Sequence, residues 1–432
     1  MERKICRLFE KLILNRKTAV AFIAVAALVV FSPTFFNGFM TAWDDQWQVV
    51  NRFTDTGFEW NNIKYVFTQS YMRQYSPLNQ CVYIVLYLIG GYNASLFHGA
   101  SLVVHIGNAV LVYVLLERIL RTATNWNAWR IMFVSFFTGL VFAVNPVQVE
   151  SVAWISASKI VFCTFFYLLA TLAFINCLQG KGMRYYVLCM VMLILSYGFK
   201  EHVVVFALWA TVLCLIYKVG LRKRKTLLML APLYAVCLLL GLVYVFCVNS
   251  YPEYQIENYE WWQRTAFFCY SLVEYVCKWV VPFNLQYLYI FPTAVDDAVP
   301  VWMISYPILL VIVCIAFRRQ LLDKPVLYGL AFFVIHLILV LHIIPLNRVT
   351  IVADRYNYLS GAGLSFVMAY AVTACREKCG KAVRVGIRGV LVLLLAYYSC
   401  MTFFRVQDWK TTDTIRKDVN SVCNINNKTT EK

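Results

Sequence analysis

The chain contains 432 residues, of which 61% are hydrophobic and only 14% are charged. An average soluble domain has roughly 25% charged residues, so this composition excludes an ordinary soluble enzyme, a disordered chain and a small disulfide scaffold. The formal net charge is +17, but the Lys and Arg residues lie in short runs between apolar segments. That distribution is typical of membrane orientation signals, so we expect no nucleic-acid partner.

Apolar runs that suit membrane helices recur along the whole chain. A transmembrane helix needs about 20 apolar residues. The first run alone would also fit a signal peptide, but the ten further runs favour a retained helix. The sequence therefore predicts an all-α, polytopic helical membrane protein with about 11 transmembrane helices. The predicted spans are 18–36, 95–116, 131–147, 160–177, 185–199, 203–217, 226–248, 301–317, 325–344, 358–375 and 388–404.

The basic residues predict the orientation of these spans. With the N-terminus in the cytoplasm, the cytoplasmic loops hold 24 of the 39 Lys and Arg residues, as the positive-inside bias requires. An odd number of spans then places the C-terminus on the outer side. We expect one transmembrane module over 1–404 and a short outer tail over 405–432, in a bacterial inner membrane.

Two long outer loops hold most of the sequence outside the spans, at 37–94 and 249–300. In the second loop, five polar residues are spaced to share one helical face, with aromatic residues on the rest of the helix. This pattern predicts an amphipathic helix lying at the membrane surface. The five residues are Glu260, Arg264, Ser271, Glu274 and Lys278.

The first outer loop begins with two adjacent acids, Asp44 and Asp45. Such a pair is also common at helix starts, where Asp favours caps and turns. Near a bilayer surface, however, partial desolvation and a neighbouring negative charge raise the proton affinity of a carboxylate, which suits a general base for an alcohol nucleophile. The pair would also suit a divalent cation through its oxygen ligands.

Further charged residues lie at helix ends on the same predicted side. Each cation taken alone fits a side chain that reaches from a helix end to the membrane interface. As a set beside a double acid, they favour a site for an anion, because Arg and Lys both bind phosphate. The residues are Glu150, Lys159, Lys200, Glu201, His202, Arg348, Asp354 and Arg355.

Several segments in order resemble a known family. After the acid pair come YSPLNQ (75–80), NASLFHGASLVVHIGNAVLVY (93–113), NPVQVESVAWISASK (145–159), SYGFKEH (196–202), ADRYNYLSGAGLSF (353–366) and RVQDWKTTDTI (405–415). The chain resembles the membrane module of the transmembrane O-mannosyltransferases that carry tetratricopeptide repeats, and of their bacterial relatives. These proteins belong to the GT-C superfamily of glycosyltransferases. The resemblance extends from about residue 30 to 415.

The resemblance implies an inverting sugar transfer from a polyprenyl-phosphate donor to an acceptor hydroxyl at the outer membrane face. The catalytic acids map onto Asp44 and Asp45, and Glu150 is expected at the same site. Cations for the donor phosphate are expected among Lys159, Lys200, His202 and Arg355, and Arg73 and Tyr356 are expected to bind the acceptor or support the site. No metal ligand is assigned, although a divalent cation is compatible with the acids.

The chain departs from the family pattern in three places. The expected His-Pro-x-His reads Asn145-Pro146-Val147-Gln148, the basic residue expected before Lys159 is Ser158, and no tetratricopeptide array follows RVQDWKTTDTI. The acceptor is therefore left open as a protein, a glycan or a lipid. The alternatives to a transferase are a transporter or flippase for lipid-linked glycans, a glycan polymerase or ligase, and a non-catalytic assembly partner.

Overall fold

The computed structural model describes residues 13–72, 74–249, 259–295, 297–344, 350–417 and 419. This part of the chain is helical, and its only β-type pairing is an isolated bridge between Tyr71 and Gln74. The α-helices are α1 (Arg16–Phe31), α2 (Asp45–Gln48), α3 (Arg52–Thr56), α4 (Trp60–Thr68), α5 (Pro77–Gly90), α6 (Ala94–Ala123), α7 (Ala128–Val144), α8 (Val149–Ala153), α9 (Ser158–Leu178), α10 (Met183–Tyr197), α11 (Phe206–Ile216), α12 (Arg224–Asn249), α13 (Trp261–Val280), α14 (Val301–Ala316), α15 (Arg318–Leu321), α16 (Lys324–Leu337), α17 (Asn357–Lys378) and α18 (Lys381–Val406).

Six helical segments in the described ranges are long and apolar enough to cross a membrane, and a bent pair makes a seventh. The six are Arg16–Phe36, Ala94–Ala123, Ile155–Leu178, Arg224–Cys247, Asp354–Glu377 and Lys381–Lys410. The other predicted spans form shorter apolar helices: Met183–Tyr197, Glu201–Ile216, Val301–Ala316 and Lys324–Leu337. These lengths and compositions fit an integral helical membrane protein.

The spans predicted over 131–147 and 325–344 end earlier than the sequence pattern indicates. The span predicted over 131–147 ends as an α-helix at Val144, and the chain bends by 49° before the next helical segment. Pro146 begins a short 3-10 turn there, since proline lacks the N–H group that would continue the α-helix. The span predicted over 325–344 ends at Leu337.

The core lies between α1, α6, α7, α9 and α17, which pack side by side. A buried polar cluster joins three of these helices. The His105 ring lies 2.8 Å from the Tyr358 hydroxyl, and the Asn108 amide donates to the same hydroxyl and to the Val161 carbonyl. Buried groups with these partners fix the relative positions of α6, α9 and α17.

The second outer loop contains the predicted amphipathic helix, α13. Trp261 and Trp262 are exposed near its beginning, whereas Ser271 is buried and donates to the Ile351 carbonyl. The predicted helix is therefore confirmed, but its polar face is partly used for packing within the protein. Its placement at a membrane surface stays a prediction.

A close contact between α13 and α17 predicts a clear stability effect. A Cβ atom on Gly361 would lie 2.2 Å from the fully buried Trp279 ring, whose indole donates to Ser365. We expect Gly361→Ala to destabilise the protein by about 1–3 kcal/mol because the packed ring must move. Thermal unfolding in detergent checks this. Gly386→Ala on α18 is the control, since its Cβ meets nothing within 4 Å; an equal loss in both variants would contradict the contact.

Candidate functional site

Asp45 is fully buried at the start of α2. One carboxylate oxygen accepts from the Met40 amide at 2.7 Å, and the other accepts from the Ser156 amide at 3.1 Å and from the Ser156 hydroxyl. These bonds attach the first outer loop to the turn that precedes α9. The carboxylate therefore joins two segments that are 111 residues apart and has no surface left for a substrate.

Burial raises the pKa of Asp45 from its ordinary value of 3.8 to about 6, although the Ser156 and Met40 donors act in the opposite direction. The folded state then holds the proton more tightly than the unfolded state, so stability decreases as the pH rises from about 4 to about 6. A difference of this size corresponds to roughly 3 kcal/mol.

This ionisation predicts a pH dependence that Asp45→Asn should remove. The melting temperature of the wild type is expected to fall more between pH 4 and 7 than that of the variant, because asparagine does not ionise in this range. Thermal unfolding across this range measures the difference. Glu59→Gln, an exposed acid of the same loop, should follow the wild type; an Asp45→Asn curve parallel to the wild-type curve would contradict the assignment.

Asp44 is half-buried and its surroundings differ from those of Asp45. Its carboxylate accepts from the Trp47 indole at 3.1 Å and from the Gln48 amide at 3.3 Å. Burial raises its pKa, and the positive charges of Lys159 and Arg355 limit the rise. Asp44 therefore combines partial exposure, increased proton affinity and neighbouring cations, which are the properties of a general base.

Lys159 lies in the first turn of α9 and is only 7% exposed. Its ammonium group donates to the side-chain oxygens of Gln48, at 2.7 Å, and Gln74. Within the described residues, no carboxylate lies within ion-pair distance of it. Its charge nevertheless interacts with those of Lys200, Asp44, Glu201 and Arg355. A buried cation held by neutral amides is costly, and an anion beside it would offset that cost.

Glu150 and Arg355 form an ion pair in which Glu150 is buried and Arg355 is partly exposed. The Arg355 guanidinium donates to one oxygen of Glu150, and the Arg355 backbone amide donates to the other at 2.7 Å. Glu150 is 2% exposed. The guanidinium also lies over the Trp154 and Tyr356 rings, at 5.6 and 4.9 Å from their centroids. Glu150 thus holds Arg355 in place, and the planar fork of Arg355 is fixed before any ligand arrives.

Lys200 and His202 lie beside Arg355. Lys200 forms an ion pair with Glu201 at 2.8 Å, and the His202 ring lies 5.7 Å from the Tyr356 ring. Lys200, His202, Arg355 and Tyr356 line one cavity of about 40 Å³. Its remaining wall is largely apolar and includes Ile160, Val203 and Leu359. The cavity therefore combines charged groups with apolar side chains.

Lys159 lines a second cavity, of about 60 Å³. Its lining is rich in amides and aromatic rings, a composition that suits a polyhydroxylated ligand. The amides are those of Gln48, Gln69, Gln74, Asn79 and Gln80, and the rings include Trp47, Phe53, Tyr65 and Tyr71.

The structure thus brings eight of the predicted site residues into one region through direct contacts, shared cavities and interacting charges. They are Asp44, Asp45, Glu150, Lys159, Lys200, His202, Arg355 and Tyr356. Arg73 and Arg348 lie outside the described residues. Asp354 lies apart from the cationic cavity, since it pairs with Arg405 at 2.8 Å and accepts from Tyr289.

Sequence reasoning missed the residues that hold the charged groups. Gln48 and Gln74 bind Lys159, and Ser156 binds Asp45. The density of Gln and Asn in the first outer loop was a signal that could have found the two amides.

Among the described residues, no group of three or more His, Cys, Asp or Glu side chains could hold a metal ion. No protein-family profile and no curated protein matches this chain.

Proposed function

We propose that this protein is a membrane glycosyltransferase that moves a sugar from a polyprenyl-phosphate donor to an acceptor hydroxyl. The observation that carries the proposal is the placement of Lys159. It is a buried side chain with neutral hydrogen-bond partners that lines the amide-rich cavity, its neighbour Ile160 lines the cationic cavity, and its charge interacts with that of a half-buried carboxylate, Asp44. This arrangement supports binding of an anion beside a base.

The donor phosphate would lie among Lys159, Lys200, His202 and Arg355. The apolar wall formed by Ile160 and Leu359 would hold the first part of the lipid chain. The fixed guanidinium of Arg355 would stabilise the charge that develops on the leaving phosphate. Because polyprenyl phosphate leaves as an anion, the reaction needs little help from a general acid.

Asp44 would act as the base. The acceptor oxygen attacks the anomeric carbon and forms the new glycosidic bond, while the bond from that carbon to the phosphate oxygen breaks. The hydroxyl proton passes to the Asp44 carboxylate, and the electron pair of the broken bond leaves with polyprenyl phosphate. A single displacement of this kind inverts the anomeric configuration. Asp45, Glu150 and Ser156 position the site, and the amide-rich cavity would bind sugar hydroxyls.

We further propose a GT-C arrangement with eleven spans. Each of the eleven apolar runs contains a helix, and the shorter ones would complete the membrane module beside the six long helices. The N-terminus would then lie in the cytoplasm and the charged site at the outer face of a bacterial inner membrane. The acceptor would be a glycan, a lipid or a protein.

The chemical identity of the lipid product distinguishes a transferase from a flippase. A transferase breaks the bond between sugar and phosphate, whereas a flippase moves the lipid-linked sugar unchanged. Purified protein in lipid vesicles should convert a labelled polyprenyl-phosphate monosaccharide to polyprenyl phosphate when an acceptor is present. Movement of intact donor between leaflets without bond cleavage would contradict a transferase and favour a transporter.

A further inference from the structure

The described residues also enclose a larger cavity, of about 510 Å³, between α6, α9, α11, α16 and α17. Most of its lining is aliphatic or aromatic, with Leu116, Ile119, Trp209 and Phe366 among the walls. Its volume lies in the range of sites that bind small molecules, and its lining suits a hydrocarbon chain.

This cavity lies toward the end of the helix bundle that is remote from Asp44. The first outer loop meets the beginning of α6, where the His98 ring contacts the Gly38 carbonyl. The cavity instead reaches Ala123 at the other end of α6. A helix of this length extends about 45 Å, so the cavity opening and Asp44 lie at opposite ends of the bundle.

A barrier of side chains separates the two regions. The Tyr167 hydroxyl lies 2.7 Å from the His336 ring, which contacts the Phe332 ring at a centroid distance of 4.0 Å. Tyr167 and His336 line the small cationic cavity, whereas Phe332 lines the large one. These three side chains therefore lie between the two cavities, which share no lining residue.

The charged residues of its lining have one sign. They are Lys218, directly after the end of α11, and Lys324, at the start of α16. Both side chains are exposed at the opening. The nearest acid along the chain, Asp323, accepts a hydrogen bond from the Tyr370 hydroxyl. An apolar chamber with two ammonium groups at its opening is complementary to an amphiphile with an anionic head.

Lys218 lies in the turn that ends α11. Lys218 has a φ of +55°, and the Lys218 and Val219 amides donate to the Leu215 and Cys214 carbonyls. These bonds form a Schellman motif, in which glycine or asparagine usually occupies the left-handed position. Lysine occupies it here, and its side chain lies in the lining of the large cavity.

We propose that this cavity binds an anionic phospholipid, with an acyl chain between α6, α9 and α17 and the phosphate at Lys218 and Lys324. This site is distinct from the proposed sugar-transfer site. The bound lipid would stabilise the helix bundle at the end that is remote from Asp44. Each of the two ammonium groups is expected to contribute about 1 kcal/mol to the binding free energy of a lipid phosphate, which corresponds to about a fivefold change in affinity per lysine.

Photolabelling tests this proposal. Full-length protein in phosphatidylcholine bilayers is exposed to a phosphatidylglycerol that carries a photoreactive group in its acyl chain, and the labelled peptides are mapped. We expect labelling of the segments around Leu116 and Phe366. Unlabelled phosphatidylglycerol should compete, and phosphatidylcholine should not. Three results would overturn the proposal: labelling confined to outward-facing side chains such as Leu242, equal competition by phosphatidylcholine, or displacement of the label by polyprenyl phosphate alone.

Variants at the opening provide the second measurement. Lys218→Asn keeps a residue that tolerates the left-handed backbone, and together with Lys324→Gln it should weaken phosphatidylglycerol binding about 25-fold. The control is Arg222→Gln with Lys223→Gln, which removes two charges from the same loop but not from the lining. Leu116→Trp should block labelling, whereas Leu242→Trp should not. Equal effects of the two charge variants would overturn the proposal. A variant that loses sugar transfer but still binds phosphatidylglycerol would have a defect in the proposed catalytic site and not in the phospholipid site.

Discussion

Asp44→Asn is expected to lower the rate of sugar transfer by about 10²–10⁴-fold, which is the usual contribution of a general base. The asparagine side chain would keep an oxygen for the Trp47 indole, so the local fold should persist. It would lose the ability to take the acceptor proton. The rate of transfer in a purified system, together with the melting temperature of the same sample, checks the expectation.

Two other acids of the first outer loop serve as comparisons. Glu59→Gln removes an exposed carboxylate with no side-chain capping bond and should leave both quantities unchanged. Asp45→Asn alters the buried contacts to Met40 and Ser156 and should change the pH dependence of stability in addition to any loss of rate. A normal rate in a correctly folded Asp44→Asn variant would remove Asp44 from the mechanism.

Arg355→Lys should lower turnover by about 10²–10³-fold, as the loss of one preorganised donor to a developing oxyanion does in other enzymes. Lysine keeps the positive charge beside Glu150 but lacks the planar fork of donors. This choice matters because Arg355→Gln would leave the buried Glu150 without a counter-charge, which costs about 3–5 kcal/mol of stability. Turnover and the affinity for polyprenyl phosphate report on the phosphate contact, and an unchanged melting temperature of the same sample excludes misfolding.

Both quantities should fall in Arg355→Lys, because the leaving phosphate and the free product present the same anion. Arg52→Lys is the control, since Arg52 is an exposed cation of the first outer loop that lies over the Phe53 ring. A variant with unchanged affinity for polyprenyl phosphate and unchanged turnover would place the donor phosphate elsewhere.

The periodic apolar runs predicted the helices well, because helix formation in this chain follows from long stretches of apolar residues. The bend at Pro146 and the early end of α16 were not predicted from these runs and are seen only in the three-dimensional structure. The charged residues of separate loops were also predicted to gather on one side. Lys159 and Arg355 do act on Asp44, although these residues are far apart in the chain.

The different surroundings of the two adjacent acids could not be predicted. Neighbouring residues at the start of a short helix point in different directions, so Asp45 faces Ser156 while Asp44 faces Trp47 and Gln48. The pairing of Asp354 with Arg405 also depends on tertiary packing, because these residues are 51 positions apart. Sequence spacing carries no signal for either contact.

In the proposed mechanism, Asp44 promotes attack of an acceptor hydroxyl on a lipid-phosphate sugar. A single-turnover experiment tests it most directly: protein in lipid is loaded with labelled polyprenyl-phosphate monosaccharide, an acceptor is added, and released polyprenyl phosphate and the anomeric configuration of the product are measured. We expect hydroxyl-dependent release with inversion in the wild type and Glu59→Gln, and its loss in Asp44→Asn. Protein that binds these donors but releases no polyprenyl phosphate with any acceptor would rule out this mechanism.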